Sequence, residues 1–314
     1  MARWRFLSFA LLIGLSCTSA SAKELRAAAF INTGNTWSEP FEQWINQVNA
    51  HGLVNIRLIG AEVISAAEQP TALKEGQLDI IASPPGNYRA YMPEAPTQNL
   101  SNLTLNEQRA SGGYNALNQL LSKKLNAISL TSYGTGVPFH LYLTTPIQSV
   151  SELKNKRIRA QVLQTLFLNA LGAHVVTADL TNLSPALDYN LIDGFAYTLW
   201  GVDDFSWHER IAQRIDPGFY SASVNILINK TIWHELEERE QQSLLKASQW
   251  LEDTMQHQYQ ERNQHALKLQ QRAGISAFDA GSEFANQAHE LYWQALEDKS
   301  PIEVPKLRRL LVEE

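Results

Sequence analysis

The sequence predicts an α/β protein built from two units, both crossed by one long helix. Three observations lead to this prediction. Strand-like and helix-like segments alternate along the chain, the alternation starts again near Pro138, and one helical pattern continues without Gly or Pro over residues 235–272. Alternating strands and helices are typical of βαβ units in mostly parallel sheets. The 314 residues are enough for two such units.

The first 22 residues have the pattern of a secretory signal peptide. Arg3 and Arg5 precede an apolar run over residues 6–15, and Ala22 ends a small-x-small cleavage motif. The run is shorter than the ~20 apolar residues that span a membrane. We therefore expect cleavage after Ala22 and export. The single cysteine, Cys17, would leave with this segment, which excludes disulfides and thiol catalysis in the mature chain.

The net charge limits the partners of the exported chain. The formal charge of −6 becomes −8 once the two arginines of the signal segment are removed. A negative surface without basic clusters argues against nucleic acid and against anionic membranes as partners. We expect neither a metal nor a cofactor, because the sequence has no phosphate loop, no Gly-x-Ser-x-Gly and no His-Glu-x-x-His.

The first unit contains three predicted strands and two predicted helices. The strands are expected at residues 25–30, 54–59 and 78–82. A helix is expected after a cap at Ser38, with Pro40 in its first turn, and a shorter one at residues 71–75.

The second unit repeats this alternation and leads into the long helix. Strands are predicted at residues 139–144, 156–162, 174–177, 191–197 and 220–228. One helix ends at Gly172, and a short one begins at a Ser184 cap. Asn155 and Asn190 occupy turn positions that require a left-handed backbone. The pattern at 235–272 would exceed ~50 Å and keeps no clean heptad, which favours a helix crossing both units over a coiled coil.

Arg159 is the most informative candidate for ligand binding. It lies within the predicted strand at 156–162, near the carboxyl end, where open α/β sheets bind ligands. Its guanidinium is a rigid, two-pronged donor that matches a carboxylate. From position alone, a structural or surface arginine is the commoner outcome. Arg157 lies on the same strand face, and we expect it to be a solvated basic residue that does not bind the ligand.

Other candidates follow predicted strands, most with a structural alternative. Asn35 lies in the loop after the first strand, as a ligand contact or as part of an Asx turn. Tyr88 follows the strand at 78–82, again at a carboxyl end, where it could reach the ligand. Tyr197 ends the strand predicted at 191–197 and Trp200 follows it; both would stack on a ligand or belong to the core.

Five segments in a fixed order resemble the solute receptors of tripartite ATP-independent periplasmic (TRAP) transporters. They are LKEGQLDI at 73–80, PFHLYLTTP at 138–146, SELKNKRIR at 151–159, LGA at 171–173 and ALDYNLIDG at 186–194. The resemblance covers essentially the whole chain after the signal segment. It implies a periplasmic-binding-protein architecture, with a ligand cleft between two lobes and a long helix bridging both.

The resemblance also implies the extent of the two lobes and the residues of the ligand site. Lobe I would comprise residues 23–137 and 226–262, and lobe II residues 138–225 and 263–314. Arg159 would bind a ligand carboxylate, and Glu68 matches a position that is often polar in the family. Phe139 stands where some relatives have a second basic residue, although His140 could supply a donor.

These departures favour a small monocarboxylate with an apolar or aromatic body, which membrane subunits of a TRAP transporter would receive in the periplasm. Two alternatives stay open at this point: a ligand sensor for a signalling receptor, and an exported hydrolase.

Overall fold

The computed structural model describes residues 23–178 and 180–312. The predicted signal peptide, residues 1–22, lies outside this part of the chain. The strands are β1 Lys23–Ala29, β2 Val54–Ile59, β3 Ile80–Ser83, β4 Ala127–Tyr133, β5 Pro138–Leu143, β6 Arg157–Arg159, β7 His174–Val176, β8 Gly194–Thr198, β9 Gln213–Ser221, β10 Val224–Asn229 and β11 Ser276–Asp279.

The helices are α1 Glu39–Ala50, α2 Gln69–Lys74, α3 Leu105–Ala110, α4 Gly113–Lys124, α5 Val162–Ala170, α6 Leu183–Asp188, α7 Lys230–Glu235, α8 Glu238–Arg272, α9 Ser282–Lys299 and α10 Glu303–Leu311. Short 3₁₀ segments lie at Pro85–Tyr88, Ala95–Leu100, Val150–Leu153, Leu180–Asn182 and Trp207–Arg210. Across the described ranges, no helix combines the length and the apolar character needed to cross a membrane.

The strands form two sheets with related topology. Lobe I holds the order β2-β1-β3-β10-β4, and lobe II holds β11-β9-β5-β8-β6-β7. In lobe I, β1 pairs in parallel with β2 and β3, and in lobe II, β6 pairs in parallel with β7 and β8. An antiparallel strand, β10 or β5, then follows on the far side of β3 or β8. The predicted two-lobed α/β fold is confirmed.

An arginine–aspartate clasp stands at the same place in both lobes. Asp79 precedes β3 and accepts from the backbone N, Nε and Nη2 of Arg26 on β1, at 2.7, 3.1 and 3.0 Å. Asp193 precedes β8 and accepts from the same three atoms of Arg157 on β6, at 2.8, 3.1 and 2.7 Å. Each clasp ties the start of one parallel strand to its neighbour.

The lobe II clasp is acid-sensitive. Hydrogen bonding from Arg157 lowers the pKa of the Asp193 carboxyl. A carboxyl with a lowered folded-state pKa stabilises the fold at neutral pH, and this contribution is lost as the pH falls below the ordinary Asp value of about 4.

The helix α8 spans both lobes, as predicted. It has 35 residues, about 52 Å at ~1.5 Å per residue. In lobe I, its Ser248 accepts a hydrogen bond from the indole of Trp44 on α1. In lobe II, its Gln270 accepts from Arg214 Nη1 at 2.7 Å and donates to the Leu199 carbonyl at 3.2 Å.

Several predicted elements differ in detail. The strand expected at 220–228 is two strands in different sheets, because the chain leaves lobe II after Ser221 and enters lobe I at Val224. The cap expected at Ser184 is wrong: α6 begins at Leu183, and the Ser184 hydroxyl accepts from the Trp207 indole. The long helix is preceded by a separate helix, α7, since the backbone of Leu236 is extended.

The two left-handed turns were predicted correctly, and the packing of the C-terminal helix α10 changes one lobe boundary. Asn155 and Asn190 have φ of 66° and 51°. Leu307 and Leu311 of α10 are buried in the same cluster as Leu117 of lobe I. We therefore propose that α10 belongs to lobe I, although the range expected from the sequence, 263–314, placed it in lobe II.

Candidate functional site

Arg159 ends β6 and is buried at 3 % exposure. Its Nε and Nη2 donate to the carbonyl oxygen of Ala178, at 2.9 and 2.6 Å. Ala178 follows β7, two residues after Val176, which is the strand partner of Arg159. This contact fixes the plane of the guanidinium. A buried arginine with a fixed plane can present its donors to an anion without reorganisation.

Tyr197 lies on the same face of the sheet as Arg159. The register pairs Arg159 with Phe195, and Tyr197 is two residues further along β8. Burial raises the pKa of the Tyr197 hydroxyl, the negative charge of Asp204 raises it further, and the positive charge of Arg159 opposes them. The charges of Arg159 and Asp204 therefore both act on the Tyr197 hydroxyl.

Phe139 and His140 divide between the two faces of the lobe II sheet. On β5, His140 is paired with Tyr197, while Phe139 is paired with Thr198. Successive side chains of a strand point to opposite faces. His140, rather than Phe139, therefore shares the face of Arg159.

The His140 ring already has protein partners. Its Nδ1 lies 3.0 Å from both the Ile215 carbonyl oxygen and Asp216 Oδ1. Burial alone would raise the pKa of Asp216, but hydrogen bonds from Arg214 and His140 hold it well below its usual range. His140 thus belongs to a partly buried hydrogen-bond network with Arg214 and Asp216 on β5 and β9.

Trp200 faces the bridging helix. Its indole Nε1 donates to Asn263 Oδ1 at 2.7 Å, and its ring centroid lies 5.8 Å from the rings of Trp37 and of Tyr259. A groove of about 670 Å³ runs between Trp200 and the α8 residues around His265. The structure therefore places Trp200 beside α8, at one wall of this groove.

Asn35 and Glu68 both organise turns at helix starts. The Asn35 carbonyl side chain accepts from the backbone N of Trp37 at 2.9 Å and of Ser38 at 3.0 Å. Glu68 is exposed, and its carboxylate accepts from the backbone N and the hydroxyl of Ser65, which lowers its pKa. The contacts of both side chains are local.

Tyr88 is buried inside lobe I. Its hydroxyl accepts from Asn225 Nδ2 at 2.8 Å, and its ring lines a cavity of about 10 Å³ with Gln98 and Tyr114. Burial raises the pKa of the Tyr88 hydroxyl. A cavity of this size holds at most about one water molecule, so it has no room for an organic ligand.

We expect Tyr88→Phe to lower the free energy of unfolding by about 1–2 kcal/mol, because Asn225 loses a buried acceptor. Ligand affinity should stay unchanged. Urea unfolding and calorimetry measure the two quantities. Tyr91→Phe is a matched control, since the Tyr91 hydroxyl bonds Thr71 in a half-buried setting and should cost less. A loss of ligand affinity in Tyr88→Phe with unchanged stability would instead indicate that Tyr88 contacts the ligand.

Two residues that sequence reasoning missed connect the lobes near Tyr197. The backbone N and hydroxyl of Thr36, in the β1–α1 loop, donate to the two carboxylate oxygens of Asp204 at 2.9 and 2.8 Å. They are separated by 168 positions, and neither lies in a periodic pattern. The only available signal was the position of each residue in a loop after the carboxyl end of a strand.

The fold and the site define a two-lobed solute-binding protein. Two α/β lobes are joined by crossover segments at residues 134–137 and 222–223 and by one bridging helix, and Arg159 is buried at the carboxyl end of a strand of lobe II. The family model for bacterial extracellular solute-binding proteins, family 7 (DctP), matches residues 29–298. The chain belongs to this family.

Solved structures of TRAP solute receptors share the fold at low sequence identity. DctP7 of Bordetella pertussis, a receptor binding pyroglutamic acid, is 16 % identical, covers 92 % of this chain and 99 % of its own, and has a TM-score of 0.81. A Desulfovibrio salexigens receptor with bound orotic acid is 14 % identical, with 92 % and 97 % coverage and a TM-score of 0.79. A Sulfitobacter receptor with bound β-D-galacturonate is 15 % identical, with 92 % and 99 % coverage and a TM-score of 0.80.

Proposed function

We propose that this protein is a periplasmic receptor that binds a small organic acid through Arg159 and delivers it to the membrane subunits of a TRAP transporter. The observation that carries this proposal is the buried guanidinium of Arg159, oriented by Ala178 at the carboxyl end of a parallel strand. Open α/β sheets bind ligands at that end. Membership in a family of extracellular solute-binding proteins supports the role.

The proposed ligand is a monocarboxylate with an apolar or ring-bearing body. Tyr197, buried beside Arg159, offers an aromatic surface and one hydroxyl. Pyroglutamic acid, orotic acid and galacturonate, the ligands of three structural relatives, each carry one carboxylate on a ring. Arg159 would supply the charge-assisted hydrogen bonds, and the ring would fill the remaining space.

Binding would proceed by closure of the lobes. The open form takes up the acid on one lobe, Arg159 bonds its carboxylate, and rotation at the two crossover segments buries it. The ligand favours the closed form by the extra contacts that it makes there. The role is binding without chemical conversion, so the acid should be recovered unaltered.

Mass spectrometry of small molecules released from the purified protein tests the proposed ligand class. A thermal-shift panel complements it, with pyroglutamate, orotate, galacturonate, a dicarboxylate and a phosphate ester. We expect stabilisation by ring monocarboxylates, because free ligand raises stability by mass action. Neutral amides of the same acids are the matched controls. Equal stabilisation by an acid and its amide would contradict the carboxylate contact.

N-terminal sequencing of the exported protein tests the proposed localisation. We expect a periplasmic product that begins at Lys23, since cleavage is proposed after Ala22. Retention of residues 1–22 on the mature protein would contradict the signal peptide.

A further inference from the structure

One loop of lobe I is hydrogen-bonded to one loop of lobe II at a single carboxylate. Thr36 lies between β1 and α1, and Asp204 lies after β8. The Thr36 backbone N donates to Asp204 Oδ2 at 2.9 Å, and its hydroxyl donates to Oδ1 at 2.8 Å. Both carboxylate oxygens are therefore used by one residue of the opposite lobe. Hydrogen bonds to a charged acceptor are stronger than those between neutral groups.

The residue after Thr36 adds a second contact of the same kind. The Trp37 indole donates to the hydroxyl of Thr198, the last residue of β8, at 3.2 Å. The Trp37 carbonyl accepts from the Tyr133 hydroxyl at 2.8 Å, at the end of β4 where the chain leaves lobe I. Thr36 is thus carried on a loop that is anchored to the crossover segment.

We propose that Thr36 and Asp204 form a latch that holds the two lobes closed. All of its atoms belong to the protein, so it favours the closed form whether or not a ligand lies in the cleft. The role of the latch in ligand exchange rests on the proposed function. Its effect on lobe closure does not, because that effect needs no ligand. Asp204 acts as a positioning residue rather than as a ligand contact.

The latch has a distinct kinetic consequence. A ligand enters and leaves only through the open form. A contact that stabilises closed forms with and without ligand slows both steps by similar factors. Where the ligand-free protein is mostly closed, affinity changes little. The latch would therefore set the exchange rate of the receptor, while Arg159 sets its affinity.

Pulsed electron spin resonance on the exported protein measures the closed fraction without any ligand. Asn46 on α1 and Asn169 on α5 are exposed, lie in different lobes and serve as cysteine sites for spin labels. Cys17 lies in the predicted signal segment and does not interfere. Asp204→Ala should raise the open-to-closed ratio about 3- to 10-fold, because two solvent-accessible hydrogen bonds are lost.

Three further variants keep this test specific. Asp204→Asn should give a smaller shift, because its amide can still accept from the Thr36 backbone and donate to the Thr36 hydroxyl. Thr36→Val should also give a partial shift, since the backbone bond remains. Asp203→Ala removes the neighbouring charge and should leave the distances unchanged.

Identical distance distributions for Asp204→Ala and the unsubstituted protein would overturn the latch, and so would an equal shift in Asp203→Ala. Melting temperatures measured in parallel identify a variant that has failed to fold. Because the measurement uses no ligand, a wrong ligand assignment cannot imitate either result.

Discussion

Arg159→Ala is expected to weaken binding of the recovered acid by about 2–5 kcal/mol, which is the cost of truncating one partner of a buried charged pair. The expected cause is a ligand carboxylate left in a closed cleft without its cation. Isothermal titration calorimetry measures the change. The Kd of Arg159→Lys should fall between those of the unsubstituted protein and Arg159→Ala, because an ammonium keeps the charge but loses the planar two-pronged geometry.

Arg157→Ala is the matched control for this prediction. Arg157 lies two residues earlier on β6 with a side chain 43 % exposed, and its guanidinium bonds Asp193 rather than facing a cleft. We expect its Kd to stay within about threefold of the unsubstituted value, since substitutions away from a binding site have small effects. An unchanged Kd for Arg159→Ala, with the fold intact by circular dichroism, would contradict the carboxylate contact.

Asp79→Ala is expected to lower the free energy of unfolding by about 2–4 kcal/mol. The Asp79 side chain is 6 % exposed and accepts three hydrogen bonds from Arg26, including that of the backbone N on β1. Alanine would leave the Arg26 backbone N and Nε without this acceptor, whereas Nη2 keeps its bond to the Gly76 carbonyl. Urea unfolding at neutral pH measures the loss.

Asp193→Ala offers the same chemistry in lobe II at higher exposure. The Asp193 side chain is 34 % exposed, so water can replace more of the lost interaction. We expect a smaller loss of stability than for Asp79→Ala. A larger loss in lobe II than in lobe I would show that burial does not control the strength of the clasp.

Much of the fold could be predicted because local sequence patterns determine where its strands, helices and turns lie. Strand and helix periods located β1, β2, α5 and α8 within a few residues, and the turn chemistry of Asn155 and Asn190 identified two left-handed positions. The errors arose where tertiary contacts decided the outcome. Residues 220–228 read as one apolar strand, yet the chain passes between sheets after Ser221.

The candidate site could be predicted only in part. The position of Arg159 at a strand end followed from a short segment, and the structure places it there, buried. Tyr197 lies on the same face, but its neighbour in the pair register is His140 rather than Phe139. Trp200 turned out to face α8, and Tyr88 to lie inside lobe I. Aromatic residues after strands look alike in sequence whether they face a cleft or a core.

The sequence by itself therefore determined the two α/β units, the long helix and the strand end that carries Arg159, because these depend on residues a few positions apart. Only the tertiary structure decided which side chains meet across the lobes. Thr36 and Asp204, 168 positions apart, have no local pattern in common. Their contact exists because the fold brings the loop after β1 against the loop after β8, and that packing depends on the whole chain.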